Sequence, residues 1–285
     1  MEPSPNVVLI TGCSSGIGRA LALEWARRGH RVFATARRPE AIEGLDVPGI
    51  ERLRLDVTDA ASISEAVAEV IRRAGRIDVL VNNAGYGLMG PVLVDTPDDL
   101  RRQIETNLVG VLAMVQAVAT HMLREGRGMI VNVGSTSGIL TTPFAGAYCA
   151  SKAAVHALTD AMRMELEPLG LTVVTLQPGA VRSSFSDTAM QIVGHMSLDA
   201  SPYAPIRTFI EQRATTSQDG AMDAAEFARK VVDVLSRRKP PRIVRFGRHS
   251  VMMPLMRWLL PTRSSDGILR RRFGLDRLTR TGHDR

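Results

Sequence analysis

The stretch TGCSSGIG, Thr11 to Gly18, decides how the chain reads. It follows the apolar run Val7-Val8-Leu9-Ile10 and leads into RALALEWARRG, whose apolar residues recur at helical spacing. A strand, a glycine turn and a helix in that order bring free backbone amides and the positive end of a helix dipole together, which suits a phosphate. In a doubly wound sheet such a turn opens on the crevice where ligands bind. Gly12 would allow the tight turn, Gly16 close approach of the backbone to a pyrophosphate, and Gly18 close packing of helix on strand. The same glycines would also serve a turn that merely joins two elements. Their spacing is Gly12-x-x-x-Gly16-x-Gly18 rather than GxGxxG.

The alternation continues along the chain. NVVLIT, HRVFATA, ERLRLDV, IDVLVNNAG, GMIVNVGS, LTVVTLQPG and PRIVRFG read as seven strands. Between them lie helical patterns: SISEAVAEVIRRAG, with Ser62 and Glu65 at capping-box spacing, DDLRRQIETNLVGVLAMVQAVATHMLREG, and AYCASKAAVHALTDAMRMELEPLG. Several strands are apolar nearly throughout, as strands covered on both faces are. The expected fold is α/β, a doubly wound parallel sheet with helices on both faces. No repeat or linker interrupts the rhythm before about Pro240, so residues 1–249 are expected to form one domain. Within it, residues 184–220 break the pattern. Residues 250–285 are expected to be a basic amphipathic extension packed outside that domain.

Composition narrows the function classes. With 45% hydrophobic residues over 285, a large core is within reach. Cys13 and Cys149 form no CxxC pair, so neither a disulfide framework nor a metal site is indicated, and a reducing, cytoplasmic setting is expected. The start MEPSP has no basic n-region, and no stretch is expected to approach the roughly 18 residues of a spanning helix, so neither secretion nor membrane spanning is expected. Charge is uneven: residues 237–285 hold 14 Lys/Arg against 3 Asp/Glu, net +11, while the rest is net −4. Zinc-finger and basic-zipper spacings are lacking and aromatics are few, which argues against nucleic acid.

Tyr148 and Lys152 are i and i+4 on one helix, so both project from one face. An ammonium beside a phenol favours the phenolate and lowers its pKa from about 10, which would fit Tyr148 as general acid to a ketone or base to an alcohol. Ser135, ending the strand GMIVNVGS, would hydrogen-bond the substrate oxygen as charge develops on it. Asn107 stands in the apolar IETNLVG, where a buried amide needs partners, either in a site or at a helix irregularity.

TGxxxGxG, NNAG (Asn82 to Gly85), Asn107, Ser135, Tyr148-x-x-x-Lys152 and Pro178-Gly179, in this order, resemble the short-chain dehydrogenase/reductase family over residues 6 to about 185. The resemblance implies a nicotinamide cofactor held by Gly12, Ser14, Ser15, Gly16, Ile17 and Gly18, with Asn83, Ala84 and Gly85 near the adenine ribose. It implies that Asp56 and Val57 meet the adenine, that Lys152 holds the nicotinamide ribose, and that Asn107 holds a water relaying protons from Lys152. PGAVRS resembles the family's PGxxxT, with Pro178, Gly179 and Val181 along the nicotinamide and Ser183 at the threonine position. The resemblance also implies a homodimer or homotetramer on the long helices.

Cofactor choice turns on the end of the second strand, FATARRP. NAD-specific enzymes usually place a carboxylate there to hold the ribose hydroxyls. Here the position is Ala36, followed by Arg37 and Arg38, so NADP(H) is expected over NAD(H). Phe185, Met190, Ile192, Val193, Met196, Leu198, Tyr203 and Ile206 would line or close an apolar substrate pocket, or pack as an insertion. SVMMPLMRWLLP and GILRRRFGLDRL would lie on an anionic membrane surface, close the pocket as a lid, or form a subunit contact. The expected activity is oxidation or reduction of a lipophilic alcohol or carbonyl, as in the steroid- and retinol-type branch. The competing class is a non-catalytic NADP(H)-binding scaffold, which typically lacks the Tyr or the Lys. An epimerase would usually carry TGxxGxxG.

Overall fold

The computed structural model describes residues 5–278. Seven strands, β1 (Val7–Ile10), β2 (Arg31–Ala36), β3 (Ile50–Arg54), β4 (Val79–Asn82), β5 (Gly128–Val133), β6 (Leu171–Leu176) and β7 (Ile243–Val244), form one sheet in the order 3-2-1-4-5-6-7. Every pairing is parallel. The order reverses at β1 and β4, which is where such sheets hold ligands.

The near-continuous apolar strands follow from cover on both sides. In β1, Val8 and Ile10 meet helices α1 (Gly16–Arg27) and α8 (Ala224–Leu235) through Leu21, Trp25, Phe227 and Val231. Val7 and Leu9 enter the opposite core, with Val67 and Val70 of α2 (Ala60–Ala74) and Met114 and Val118 of α4 (Gly110–Arg124). Strand period 2 thus puts alternate residues into two cores, one on each face of the sheet. Cys13 and Cys149 are buried and free.

Three expectations are revised. Asp59, not Ser62, caps α2, accepting from the amides of Ala61 and Ser62, while Ser62 turns inward to accept from the Asp56 amide at 3.0 Å. A short polar side chain is needed more by the buried strand end than by the helix. One helix does reach spanning length and hydropathy: Pro97–Arg124 holds an 18-residue window of mean hydropathy 1.4. Its Val111, Met114, Val115 and Met122 are buried against the sheet. Polar residues on its other face break the run that a scan for continuous apolarity looks for. It comprises α3 (Pro97–Ile104), a π turn (Glu105–Val109) and α4.

The third revision concerns the tail, whose described part, residues 250–278, does not lie wholly outside; residues 279–285 are beyond the described residues. Beyond α5 (Gly146–Leu166), the irregular region folds as α6 (Phe185–Gly194) and α7 (Arg207–Thr215). The tail folds as α9 (Met252–Leu259) and α10 (Thr262–Arg272). Leu269 and Phe273 are buried in a third core with Ala189, Val193, Leu198, Ile206 and Ile210. Gly179 permits this closeness: a Cβ there would strike the Arg248 carbonyl, and its amide donates to Phe246 O at 2.9 Å.

Candidate active site

The carboxyl ends of the strands open on a crevice of about 1000 Å³. Every residue assigned above to nucleotide or chemistry lines it except Gly18, Arg38 and Asn107. Helix α1 starts at its floor with Ser15 at the N-cap, no side-chain cap and no acid in the first turn, so its first amides and dipole are open to an anion.

The glycines act in part as the sequence reading has it. Gly12 (φ +71°) takes a left-handed conformation in which a Cβ would sit 2.8 Å from Ala84 Cα. Gly16 (φ +57°) does so against Ser183 Cβ, at 2.6 Å. Both turns therefore need glycine. Gly18 admits the Asn83 side chain and the Gly12 carbonyl rather than a strand, which corrects its assignment to helix–strand packing. Asn83 Nδ2 donates to the carbonyls of Thr11 and Gly12, each at 2.9 Å. Thr11 Oγ1 accepts from the amides of Asn83 and Ala84. NNAG is thus a strut that holds the glycine loop as well as a wall of the crevice.

At the other end Tyr148 and Lys152, both buried, project from the first turns of α5 beside Ser135 at the end of β5. Burial pushes the Tyr148 phenol up to about 12, against hydrogen bonding from Ser135. Burial pushes the Lys152 ammonium down to about 8, and its Nζ donates to Val133 O at 2.7 Å. The expected lowering of the phenol by the lysine is not found: burial dominates, opposed by the Ser135 hydrogen bond and the Arg213 charge, and Tyr148 is a neutral donor near pH 7. Asn107 lies behind Lys152 in the π turn and is fully buried. Its Oδ1 accepts from the Tyr86 amide at 3.2 Å, and its Nδ2 donates to Tyr86 O at 3.0 Å and Ser151 Oγ at 3.1 Å. Gly85 fits the gap beside it, where a Cβ would stand 3.0 Å from Asn107 Oδ1. The irregular helix and the buried amide are one feature.

At the β2 end, Ala36 and Arg37 line the crevice, and Arg37 is exposed with no carboxylate partner among the described residues. Arg38 does not reach the crevice; it stands at the start of the 3-10 turn Pro39–Leu45. Asp56 is braced by the Thr58 amide and hydroxyl, at 3.0 and 2.8 Å. Although burial opposes it, these bonds and the Arg37 charge hold its carboxyl below the usual range.

Several contributors were not singled out from the sequence. His156, one turn beyond Lys152, accepts from the Ser135 amide through Nε2 at 3.3 Å, and burial pushes it down to about 4. Its i+4 spacing from Lys152 was a usable signal. Of the residues expected to line an apolar pocket, Phe185 does so, its ring 5.3 Å from that of Tyr148, and Met253, Met256 and Leu269 bring the tail to the same lining, one of the roles expected for it. Arg213, also in the lining, left no local signal at all.

Comparison with known proteins agrees with this geometry. The family described as short chain dehydrogenase matches residues 6–192. The chain is 37% identical over 183 residues to the 3-ketodihydrosphingosine reductase of Bacteroides thetaiotaomicron, covering 64% of this chain and 66% of that protein. It is 34% identical over 270 residues to the Homo sapiens 17-beta-hydroxysteroid dehydrogenase type 1, covering 90% and 81%. A short-chain dehydrogenase structure from Streptomyces avermitilis superposes with a TM-score of 0.79 at 30% identity, over 97% of this chain and 99% of that one. A serine dehydrogenase complexed with NADP+ gives 0.73 at 26%, over 85% and 94%. A short chain dehydrogenase/reductase of Burkholderia phymatum in complex with NAD gives 0.75 at 26%, over 95% and 96%. With the family model matching residues 6–192 and a relative 34% identical over 90% of this chain and 81% of its own length, the chain belongs to the short-chain dehydrogenase/reductase family.

Proposed function

We propose that the protein is an NADP(H)-dependent oxidoreductase that interconverts a lipophilic ketone and a secondary alcohol, with Tyr148 as the general acid/base. The observation that carries this reading is the position of Tyr148. It is buried where the nucleotide crevice meets an apolar pocket, with Ser135 beside it and Lys152 one turn on.

The residues present fit a dinucleotide. Uncapped amides of α1 suit the pyrophosphate, Ala36, Arg37, Asp56 and Val57 surround a place for the adenosine, and Lys152 lies where ribose hydroxyls would reach it. When bound, nicotinamide supplies or accepts the hydride. Ser135 and Tyr148 then hold the substrate oxygen, and the neutral phenol donates its proton as a ketone becomes an alcohol. Lys152, with the Asn107 amide near it, would return that proton. Absence of a carboxylate at Ala36 and presence of Arg37 support NADP(H), with NAD(H) as the weaker cofactor. Names of the relatives above, a sphingoid-ketone reductase and a steroid dehydrogenase, support a lipophilic substrate. The proposed setting is cytoplasmic, with peripheral membrane contact through the tail.

A carbonyl panel followed by NADPH absorbance tests the reading. Tyr148→Phe should lower turnover by about two to four orders of magnitude, the usual worth of a general acid, while NADPH still binds. A Phe variant with near wild-type rate would show that another group is the acid.

A further inference from the structure

Arg213 stands in the wall of the substrate pocket and is 8% exposed. Its Nε and Nη2 both donate to one acceptor, Thr142 Oγ1, at 3.0 and 2.9 Å. No carboxylate pairs with it among the described residues. A guanidinium cannot shed its proton, so its charge persists in a site where an unpaired charge is costly. Four residues on, Ser217 Oγ is buried without a hydrogen-bond partner and lines the same pocket. Arg248 and Arg272 line it too, so that end is cationic. The two carboxylates in the lining, Asp56 and Glu105, belong to the end of β3 and the start of the π turn.

We propose that the substrate carries an anionic group, a carboxylate or a phosphate, that seats on Arg213 with Ser217 as a second donor, its apolar body lying against Phe185, Met253 and Leu269. This rests on the oxidoreductase reading above and narrows its substrate class to amphipathic anions. An anion neutralises the buried guanidinium and occupies donors that Thr142 leaves free, whereas a neutral sterol-like body satisfies neither. The Arg213 charge also acts on the Tyr148 phenol, so the anion would sit near the reacting carbonyl.

The kinetic test uses a long-chain keto acid and its methyl ester with full-length protein and NADPH. Wild type should favour the acid in kcat/KM by about ten- to a hundredfold, the scale of one charge-assisted contact. Arg213→Gln should bring that ratio close to one, and Arg213→Lys should restore part of it. A wild-type ratio near one, or a ratio that Arg213→Gln leaves unaltered, overturns the proposal. If Arg213→Gln does not fold, Ser217→Ala and Arg272→Gln should each reduce the ratio by a smaller factor. A binding arm needs no turnover. Decanoate and decyl phosphate should raise the wild-type Tm more than decanol does, in a salt-sensitive way, and the larger of the two shifts separates carboxylate from phosphate. Equal shifts from all three overturn the anion site, whereas anion-selective shifts without turnover on any carbonyl sink only the oxidoreductase reading.

Discussion

At the scale of single residues, the site is governed by where charge is desolvated. Burial raises the Tyr148 phenol and lowers the Lys152 ammonium, so near pH 7 the phenol keeps its proton while the lysine, still charged, titrates closer to neutrality than in water. His156 follows the same physics, since burial and the Lys152 charge keep it neutral in the fold. Its folded pKa of about 4 lies below the ordinary 6.5, so the unfolded chain binds the extra proton between those values. Stability should therefore fall as pH falls through that window, and be fully present above it. Wild type should lose roughly 2 kcal/mol more than His156→Gln on that descent, read from urea unfolding at each pH. Parallel curves would show that His156 does not titrate there. Arg37 decides a different matter. Arg37→Ala should weaken NADPH by about tenfold and leave NADH nearly unaltered, the low end for a charge-assisted contact because the side chain is exposed to screening salt. Fluorescence titration of both cofactors measures this, and equal loss for both would make Arg37 a solvated loop residue.

At the scale of elements, α9 is apolar on two sides. Met253 and Met256 face the pocket, while Val251, Leu255, Trp258 and Leu259 are 70%, 48%, 81% and 58% exposed. Positions 251, 255, 258 and 259 share one helical face. Arg257 lies on α9, and Arg263, Arg270 and Arg271 follow on α10. Exposed apolar surface rimmed by arginine beside a pocket mouth fits an anionic bilayer. Full-length protein is expected to sediment with anionic vesicles, less so in high salt, and the double change Leu255→Ser with Trp258→Ser should cut the bound fraction several-fold. Two surface changes are preferable to removing residues 250–285, because Leu269 and Phe273 belong to the core that shapes the pocket. Equal sedimentation of wild type and variant would sink the membrane contact.

At the scale of the whole molecule, α4 leaves a further apolar stripe outside. Leu112 and Leu123 of α4, with Val109 ending the π turn before it, are exposed at 37%, 37% and 42%, and their spacing of three and eleven keeps them on one face. A homodimer or homotetramer on this face is expected, and Leu112→Asp should shift it toward monomer by light scattering. A monomeric wild type at micromolar concentration would refute it. Much of the architecture was legible beforehand because it is written in local periods. Strands announce themselves by apolar runs, Tyr148 and Lys152 by one helical turn, and the phosphate turn by glycines whose φ no other residue adopts readily. The sequence by itself therefore determined the doubly wound sheet and the pairing of Tyr148 with Lys152 on one helical face. Only tertiary structure decided that the tail walls the pocket, that Gly18 admits Asn83, and that Arg213 is buried on Thr142 without a carboxylate. Each of those depends on residues far apart in sequence meeting in space, as Arg213 and Thr142 do across 71 positions. Such pairings follow from how layers close over the sheet, which leaves no period in the chain to read.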